Sequence, residues 1–258
     1  LTQMAKAGMS VSSLDRAVAA LRHAHLDAGL PDPGTSRGVS KVRQGLRRKV
    51  GSAPKAQAHP LSTDEIRRII NCIDTSSLRG KRDRAIILLG YAAALRRSDL
   101  AALDTRDAAF RAKGIVLKIK RSKGDQEGQG EYVGVVRGQH PETDPVSAVH
   151  DWVKAAGLKP SDPLFMPVSW SDIRPTFRRM DPRSISRVIA ARSEAAGLSD
   201  LNISGHSLRA GHATTATERG VPATRLARTT RHRNLTTLAT YVRPAEVLDD
   251  TSSGDLGL

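Results

Sequence analysis

The sequence contains one clear β-hairpin pattern in a chain whose other apolar segments have helical spacing. Two runs rich in β-branched residues, Ile115–Ile119 and Glu131–Val136, flank a polar loop that contains three glycines. Runs of this kind around a glycine-rich loop are typical of two paired antiparallel strands. We therefore predict a mainly α-helical fold with a small antiparallel β-sheet.

Capping signals place the starts of several helices. The segment Ser62–Glu65 has the capping-box pattern and precedes an apolar-periodic run that ends near Ile73. Asp144 and Asp181 are each followed by proline, which is the pattern of an N-cap before proline at the first helical position. Further helices are predicted over about residues 81–95, 205–219, 222–229 and 235–243.

The charge balance indicates a polyanionic partner. The 258 residues contain 41 Lys and Arg against 26 Asp and Glu, a formal net charge of +15, which is more than solubility requires. Of this excess, +7 (10 − 3) falls within residues 1–58. Nucleic acid is the natural partner for such a surface. The alternative interpretation is a proteome that is basic and arginine-rich throughout.

A polar segment divides the chain into two predicted domains. Residues 51–60 contain two prolines and lack apolar periodicity, as linkers do. We predict a short helical domain at 1–52, a linker at 53–60, and a larger domain with a C-terminal tail at 61–258. The first domain has only two helical patterns, from about 12 to 28 and from 39 to 50. Because this core is thin and the chain begins with Leu1, we expect that an upstream segment is missing or that the domain folds only on DNA.

The cellular setting is predicted from cysteine usage and hydropathy. Cys72 is the only cysteine, which excludes an internal disulfide and favours a reducing compartment. The longest apolar run, residues 85–95, is too short to cross a bilayer, and the N-terminus has no signal-peptide pattern. We expect a soluble cytoplasmic protein, associated with the nucleoid of a prokaryote.

Four short motifs supply groups suited to phosphate chemistry. They are ALRRSDL at 94–100, SKGDQEG at 122–128, HSLR at 206–209 and RHRNLTTLATY at 231–241. Arginine can grip the non-bridging oxygens of a phosphate, histidine and lysine can transfer protons, and tyrosine can act as a nucleophile. Each motif alone also has an ordinary structural interpretation, such as solvated arginines at a helix junction or a packed tyrosine. The presence of all four motifs in this order favours a catalytic interpretation over a structural one.

The first and third motifs are expected to form an anion site. Arg96 and Arg97 should lie where a buried helix ends and a second helix, capped by Ser98, begins. His206 and Arg209 are three positions apart and share the first turn of another helix. Positive charge is disfavoured there by the helix macrodipole unless an anion is also bound.

The ordered set resembles the tyrosine recombinase, or phage integrase, family of site-specific DNA recombinases. The resemblance covers about residues 61–258 and implies the family's helical catalytic domain, preceded by a remnant of its core-binding domain. It assigns the six active-site roles to Arg96, Lys123, His206, Arg209, His232 and Tyr241. Seven further basic residues are predicted DNA contacts: Arg43, Arg47, Arg48, Lys55, Arg97, Arg231 and Arg233.

The resemblance also implies a mechanism and an assembly. Tyr241 would attack the scissile phosphate to form a 3′-phosphotyrosyl link, with His206 accepting its proton and Lys123 protonating the departing 5′ oxygen. No metal ion, ATP or other cofactor is expected. Members of the family act on double-stranded DNA as homotetramers on two recombination sites, whereas the free protein can be a monomer. The acidic tail, residues 244–258, would dock on a neighbour or be disordered.

Two positions depart from the family pattern. Arg231 stands where the family usually has glycine before its third histidine, and Gly124 stands where many members have threonine beside the lysine. Arg231 adds a predicted phosphate contact. Two alternatives stay open at this point: a type IB topoisomerase that relaxes DNA alone, and a basic DNA-binding protein without catalysis. The sequence does not specify the target DNA or the biological event, whether integration, excision, resolution or transposition.

Overall fold

The computed structural model describes residues 1–51, 57–120 and 130–232. Four predicted site residues, Lys55, Lys123, Arg233 and Tyr241, and the predicted helix at 235–243 lie outside these ranges. The chain divides into two compact units, Leu1–Gln57 and Ala58–Leu258. None of the helices in the described ranges combines the length and the apolarity needed to cross a membrane.

The N-terminal unit is a set of three helices with very little core. Helix α1 spans Thr2–Lys6, α2 spans Val11–Asp27 and α3 spans Arg37–Val50. Among the described residues of this unit, Leu14 is the only buried apolar side chain. Leu21 of α2 is 54% exposed. So small a core contributes little hydrophobic stabilisation on its own.

The larger unit contains seven helices and three strands within the described ranges. The helices are α4 (Thr63–Asn71), α5 (Leu78–Ala92), α6 (Arg97–Ala102), α7 (Pro145–Ala156), α8 (Pro182–Ala195), α9 (Ser207–Glu218) and α10 (Ala223–Thr230). The strands are β1 (Ala108–Arg111), β2 (Gly114–Ile119) and β3 (Glu131–Val136). The predicted fold class, mainly α with a small antiparallel sheet, is confirmed.

The predicted helix starts are confirmed by their capping contacts. The Ser62 hydroxyl accepts from the Glu65 N–H at 3.2 Å, and the Glu65 carboxylate accepts from the Ser62 N–H at 2.7 Å. Asp144 accepts from two N–H groups of the first turn of α7, and Asp181 accepts from the Arg183 N–H. These contacts satisfy N–H groups that have no partner inside the helix.

The sheet has the order β1-β2-β3, with both pairs antiparallel. Leu117 of β2 lies opposite Ala108 of β1 and Val133 of β3, and all three side chains are buried. The hairpin of β2 and β3 was predicted. Strand β1 was not, because its sequence AAFR has no β-branched residue and no alternation long enough to give a strand signal.

Helix α5 lies at the centre of the core. Residues Ala85, Ile86, Ile87, Leu88 and Leu89 are all buried, so this part of the helix is apolar on every side. It packs against α7, whose fully buried Trp152 donates its indole N–H to the Leu164 carbonyl at 2.7 Å. The helix begins at Leu78, three residues before the predicted start, because Ser77 caps it and accepts from the Gly80 N–H at 3.0 Å.

Because Gly211 has no side chain, α9 packs directly against the backbone of Leu61, just before α4. A Cβ atom at this position would lie 1.9 Å from the Leu61 carbonyl oxygen. We therefore expect Gly211→Ala to lower the free energy of unfolding by about 1–3 kcal/mol, as overpacking does. Urea denaturation measures this difference. Gly134→Ala is the control, since nothing lies within 4 Å of its Cβ position; equal losses in the two variants would contradict the steric interpretation.

Candidate active site

Arg96 is positioned by a tight turn at the end of α5. The Leu95 N–H donates to the Gly90 carbonyl at 3.0 Å, and the Ala94 N–H donates to the Tyr91 carbonyl at 3.2 Å. This is the Schellman arrangement, and it places Ala94 in the left-handed region with φ of +48°. Leu95 is fully buried by the turn. Arg96 therefore directly follows a buried, hydrogen-bonded turn.

The start of α6 differs from the prediction. Ser98 was expected to cap this helix, but Arg97 is its first residue and Arg96 is the N-cap. The cause is Asp99, whose carboxylate lies at the third helical position and accepts from the Arg96 N–H at 3.1 Å. An acidic side chain that reaches back in this way stabilises a helix start one or two residues earlier than a serine pattern suggests.

The two arginines of this motif have different surroundings. The Arg96 side chain is 29% exposed, and its Nη1 lies 3.9 Å from the Asp99 carboxylate. Arg97 is exposed, and its Nη1 lies 3.4 Å from the Ser186 hydroxyl on α8. The inner position of Arg96 agrees with its predicted role, and Arg97 lies at the outer edge.

Helix α9 carries the second arginine into the interior. Arg209 is 1% exposed, and its Nη1 donates to the Ala94 carbonyl at 2.8 Å. Its Nη2 lies 3.1 Å from Nε2 of His232. His206, immediately before α9, is exposed. The buried Arg209 guanidinium therefore contacts both the turn that precedes Arg96 and the segment that follows α10.

The tautomer of His232 follows from its neighbour Thr230. The Thr230 hydroxyl donates to the Leu226 carbonyl at 2.8 Å, and the same oxygen lies 2.8 Å from Nδ1 of His232. Because a hydroxyl has one hydrogen, Thr230 accepts from the Nδ1–H of the imidazole. Nε2 then carries a lone pair and accepts from Arg209. Thr230 orients this ring and was missed by the sequence analysis, because no motif signalled it.

Both histidines of the site are neutral at pH 7. Burial, together with the charges of Arg209 and Arg96, lowers the pKa of His232 to about 4. Desolvation also lowers the pKa of His206, with the same two arginines adding to the effect. A neutral imidazole beside an anion site can accept a proton.

The described residues that line the adjoining cleft come from two segments, 96–98 and 204–206. The cleft has a volume of about 390 Å³ and is lined by Arg96, Arg97, Ser98, Ser204, Gly205 and His206. Gly205 permits close packing here, since a Cβ atom would lie 2.5 Å from the Ser186 hydroxyl. A cleft of this size, with two cationic groups at its wall, can receive a phosphate and part of the adjoining sugar.

The structure brings four of the six predicted catalytic residues together: Arg96, His206, Arg209 and His232. Of the other two tyrosines in the chain, Tyr91 has its hydroxyl 3.0 Å from both the Thr63 and the Thr215 hydroxyls. Tyr132 is 66% exposed on β3. Within the described ranges, neither has a hydroxyl contact with Arg96 or Arg209.

The predicted DNA contacts have varied surroundings. Arg43 and Arg47 each bind the Asp15 carboxylate at 2.9 Å, while Arg48 is exposed. Arg231 differs from the prediction, because its side chain is buried and donates to Asp99 at 2.5 Å. The buried carboxylate attracts this guanidinium inward, so Arg231 is not presented at the surface for a direct phosphate contact. Arg43, Arg47, Arg48 and Arg97 stay predicted contacts.

A model of the phage integrase family matches residues 59–247. The chain belongs to the phage integrase family. The identification of a tyrosine recombinase from sequence motifs is thereby confirmed, and with it an enzyme that binds DNA and cleaves and rejoins its strands.

Curated relatives agree with this assignment. The chain is 28% identical over 245 residues to an integrase/recombinase XerD homologue of Selenomonas ruminantium, covering 93% of this chain and 71% of the relative. It is 29% identical over 184 residues to a tyrosine recombinase of a Synechocystis species, covering 70% of this chain and 54% of the relative.

Two solved structures share the fold. XerA recombinase superposes with a TM-score of 0.57 at 20% identity, covering 86% of this chain and 77% of that one. The Tn1549 transposon integrase (residues 82–397 of that protein) in complex with circular intermediate DNA superposes with a TM-score of 0.62 at 18% identity, covering 100% of this chain and 82% of that one.

His232 is expected to titrate near pH 4 in the free protein, because burial and the two arginines disfavour its charged form. In the unfolded chain the same group titrates near its ordinary pKa of 6.5. Since the unfolded state then binds more protons between these values, this histidine makes stability fall as the pH drops from 6.5 towards 4. NMR titration of the imidazole nitrogens measures the pKa. A value at or above 6.5 would contradict the described environment.

Proposed function

We propose that this chain recombines specific DNA sites by transferring a DNA strand to Tyr241 and then to a new 5′ end. The observation that carries the proposal is that buried Arg209 contacts both sides of the site. Its guanidinium donates to the Ala94 carbonyl, in the turn before Arg96, and lies within hydrogen-bond distance of the His232 imidazole. In this family the nucleophile follows the third histidine in sequence, and Tyr241 holds that position in this chain.

The two arginines would bind the scissile phosphate. The barrier to phosphodiester cleavage must fall by about 20 kcal/mol, chiefly through stabilisation of charge on the phosphoryl oxygens. Guanidinium groups suit this task because they are permanently charged and present paired N–H donors. Arg209 is held rigidly by the Ala94 carbonyl, so little reorganisation is needed when the phosphate arrives.

Proton transfer would accompany the exchange of phosphate esters. As the bond from the Tyr241 oxygen to phosphorus forms, neutral His206 accepts the phenol proton. As the bond from phosphorus to the 5′ oxygen breaks, Lys123 supplies a proton to that oxygen. Rejoining reverses both transfers with a 5′-hydroxyl from the partner duplex. The ester is retained as phosphotyrosine, so strand joining needs no ATP.

His232 would change partners when the phosphate binds. In the free protein its Nε2 accepts from Arg209. A phosphate oxygen is the stronger acceptor and would take this N–H from Arg209. The negative charge of the phosphate also offsets the arginines and raises the pKa of His232. The imidazole could then carry a proton on Nε2 and donate it in a hydrogen bond to the phosphate.

The proposed substrate is double-stranded DNA with a specific recombination site, and the proposed active assembly is a homotetramer on two sites. Related structures support DNA recognition: XerH was solved bound to its difH substrate, and lambda integrase was solved as a dimer on a core site. The protein would act on DNA in the nucleoid of the cell. The bounds of the core-binding domain, residues 1–52, and the docking of the acidic tail, residues 244–258, on a neighbouring subunit are also part of the proposal.

A nicked suicide duplex tests the function. The duplex carries DNA that flanks the gene and has a nick just beyond the cleavage site, so that cleavage releases a short fragment with the free 5′-hydroxyl and traps the covalent adduct. We expect an adduct in the presence of EDTA, with the protein on the 3′ end. Strand exchange that requires two sites distinguishes a recombinase from a type IB topoisomerase, which would relax a plasmid alone. DNA binding without any adduct would leave only the non-catalytic alternative.

A further inference from the structure

Asp99 lies between two arginines that come from distant parts of the chain. Its carboxylate oxygen Oδ2 is 2.5 Å from Nη2 of Arg231 and 3.9 Å from Nη1 of Arg96. The side chains of Asp99 and Arg231 are 3% and 2% exposed, whereas that of Arg96 is 29% exposed. The inner pair is therefore desolvated, and the outer arginine borders the cleft.

The backbone fixes Arg231 in this place. It ends α10 in the left-handed region with φ of +57°, and the next N–H, that of His232, donates to the Ala227 carbonyl at 3.1 Å. A non-glycine residue in this conformation costs about 1 kcal/mol. The guanidinium also has buried Nε and Nη1 atoms without a hydrogen-bond partner in the described ranges. Arg231 therefore combines two unfavourable features, its backbone conformation and its unpaired N–H groups, with one strong favourable contact, the ion pair with Asp99.

The same carboxylate oxygen cannot serve both guanidinium groups equally. Arg231 takes the short contact, and Nη1 of Arg96, although buried, has no hydrogen-bond partner among the described residues. Without Arg231, the buried Asp99 charge would attract Arg96, the other cation within 4 Å of it among the described residues. An Arg96 guanidinium bound to Asp99 would have fewer N–H donors for a phosphate in the cleft.

We propose that Arg231 is a positioning residue that neutralises Asp99 and thereby leaves the Arg96 guanidinium available to the scissile phosphate. The proposal rests on the proposed function of Arg96 as a phosphate ligand. It replaces the direct DNA contact that the sequence suggested for Arg231. It also gives a role to the arginine that stands where the family usually has glycine.

Arg231→Met tests this role, because it removes the charge and keeps most of the length. Cleavage of the suicide duplex under single-turnover conditions should slow by about tenfold or more at saturating DNA, while the DNA dissociation constant changes by less than about twofold. Arg231→Lys should recover part of the rate. The double variant Arg231→Met/Asp99→Asn should also recover part, because asparagine can still accept from the Arg96 N–H but no longer attracts its guanidinium.

A second measurement does not depend on the DNA site. Orthovanadate mimics the phosphoryl group in the transition state, and calorimetric titration should show weaker binding by about fivefold or more in Arg231→Met, with partial recovery in the double variant. An unchanged rate and unchanged vanadate affinity in Arg231→Met would overturn the proposal, as would losses that Asp99→Asn does not relieve. A wild-type protein that binds vanadate normally but forms no adduct would instead count against the proposed function.

Discussion

Tyr241→Phe is expected to form no covalent adduct while binding DNA within about twofold of the wild-type affinity. The substitution removes the hydroxyl that is proposed to attack phosphorus and keeps the aromatic ring, so binding contacts should persist while the chemical step should not. The loss of cleavage should be at least about 10³-fold, because phenylalanine has no hydroxyl to act as nucleophile. A denaturing gel of the suicide-duplex reaction measures the adduct, and fluorescence anisotropy measures binding.

The other two tyrosines are matched controls for this change. Tyr132→Phe removes a hydroxyl from a residue that is 66% exposed on β3, and it should cleave DNA at the wild-type rate. Tyr91→Phe removes the bonds to Thr63 and Thr215 and should lower the free energy of unfolding by about 1 kcal/mol while the adduct still forms. An adduct in Tyr241→Phe, or its loss in Tyr132→Phe, would assign the nucleophile elsewhere.

The features that could be predicted from sequence depend on neighbouring residues. The capping box at Ser62 and the proline-started helices at Asp144 and Asp181 are contacts within three residues, so a short pattern specifies them. The β2–β3 hairpin is similar, because two strongly β-forming runs flank one polar loop. Such local agreement between pattern and structure is expected where tertiary packing adds no competing preference.

The features that were missed depend on contacts across the chain. Arg231 was predicted to contact phosphate, yet it is drawn inward by Asp99, which lies 132 positions away. The ring orientation of His232 is set by Thr230 and by Arg209, 23 positions away. Strand β1 forms because β2 offers it a pairing edge, not because its own residues favour a strand. The order of the motifs is therefore enough to propose the site residues, but it does not predict their hydrogen-bond partners.

Arg209→Lys is expected to slow cleavage by about 10²–10³-fold with the fold retained. The arginine donates from two nitrogens at once, to the Ala94 carbonyl and towards His232, where the phosphate would bind. A lysine ammonium is a single point charge that can reach the carbonyl or the phosphate but cannot bridge both. The loss of one fixed donor to a developing oxyanion typically has an effect of this size. Single-turnover cleavage at saturating DNA measures it.

The matched control is Arg219→Lys, the same change in an exposed arginine at the other end of α9. It should cleave DNA within about twofold of the wild-type rate, since surface substitutions have small effects. Arg209→Lys should still unfold cooperatively, because its ammonium group can satisfy the buried Ala94 carbonyl. If the variant folds and cleaves as fast as Arg219→Lys, the buried guanidinium only supports the Ala94 turn, and the charge that stabilises the phosphoryl group must come from Arg96 and the histidines alone.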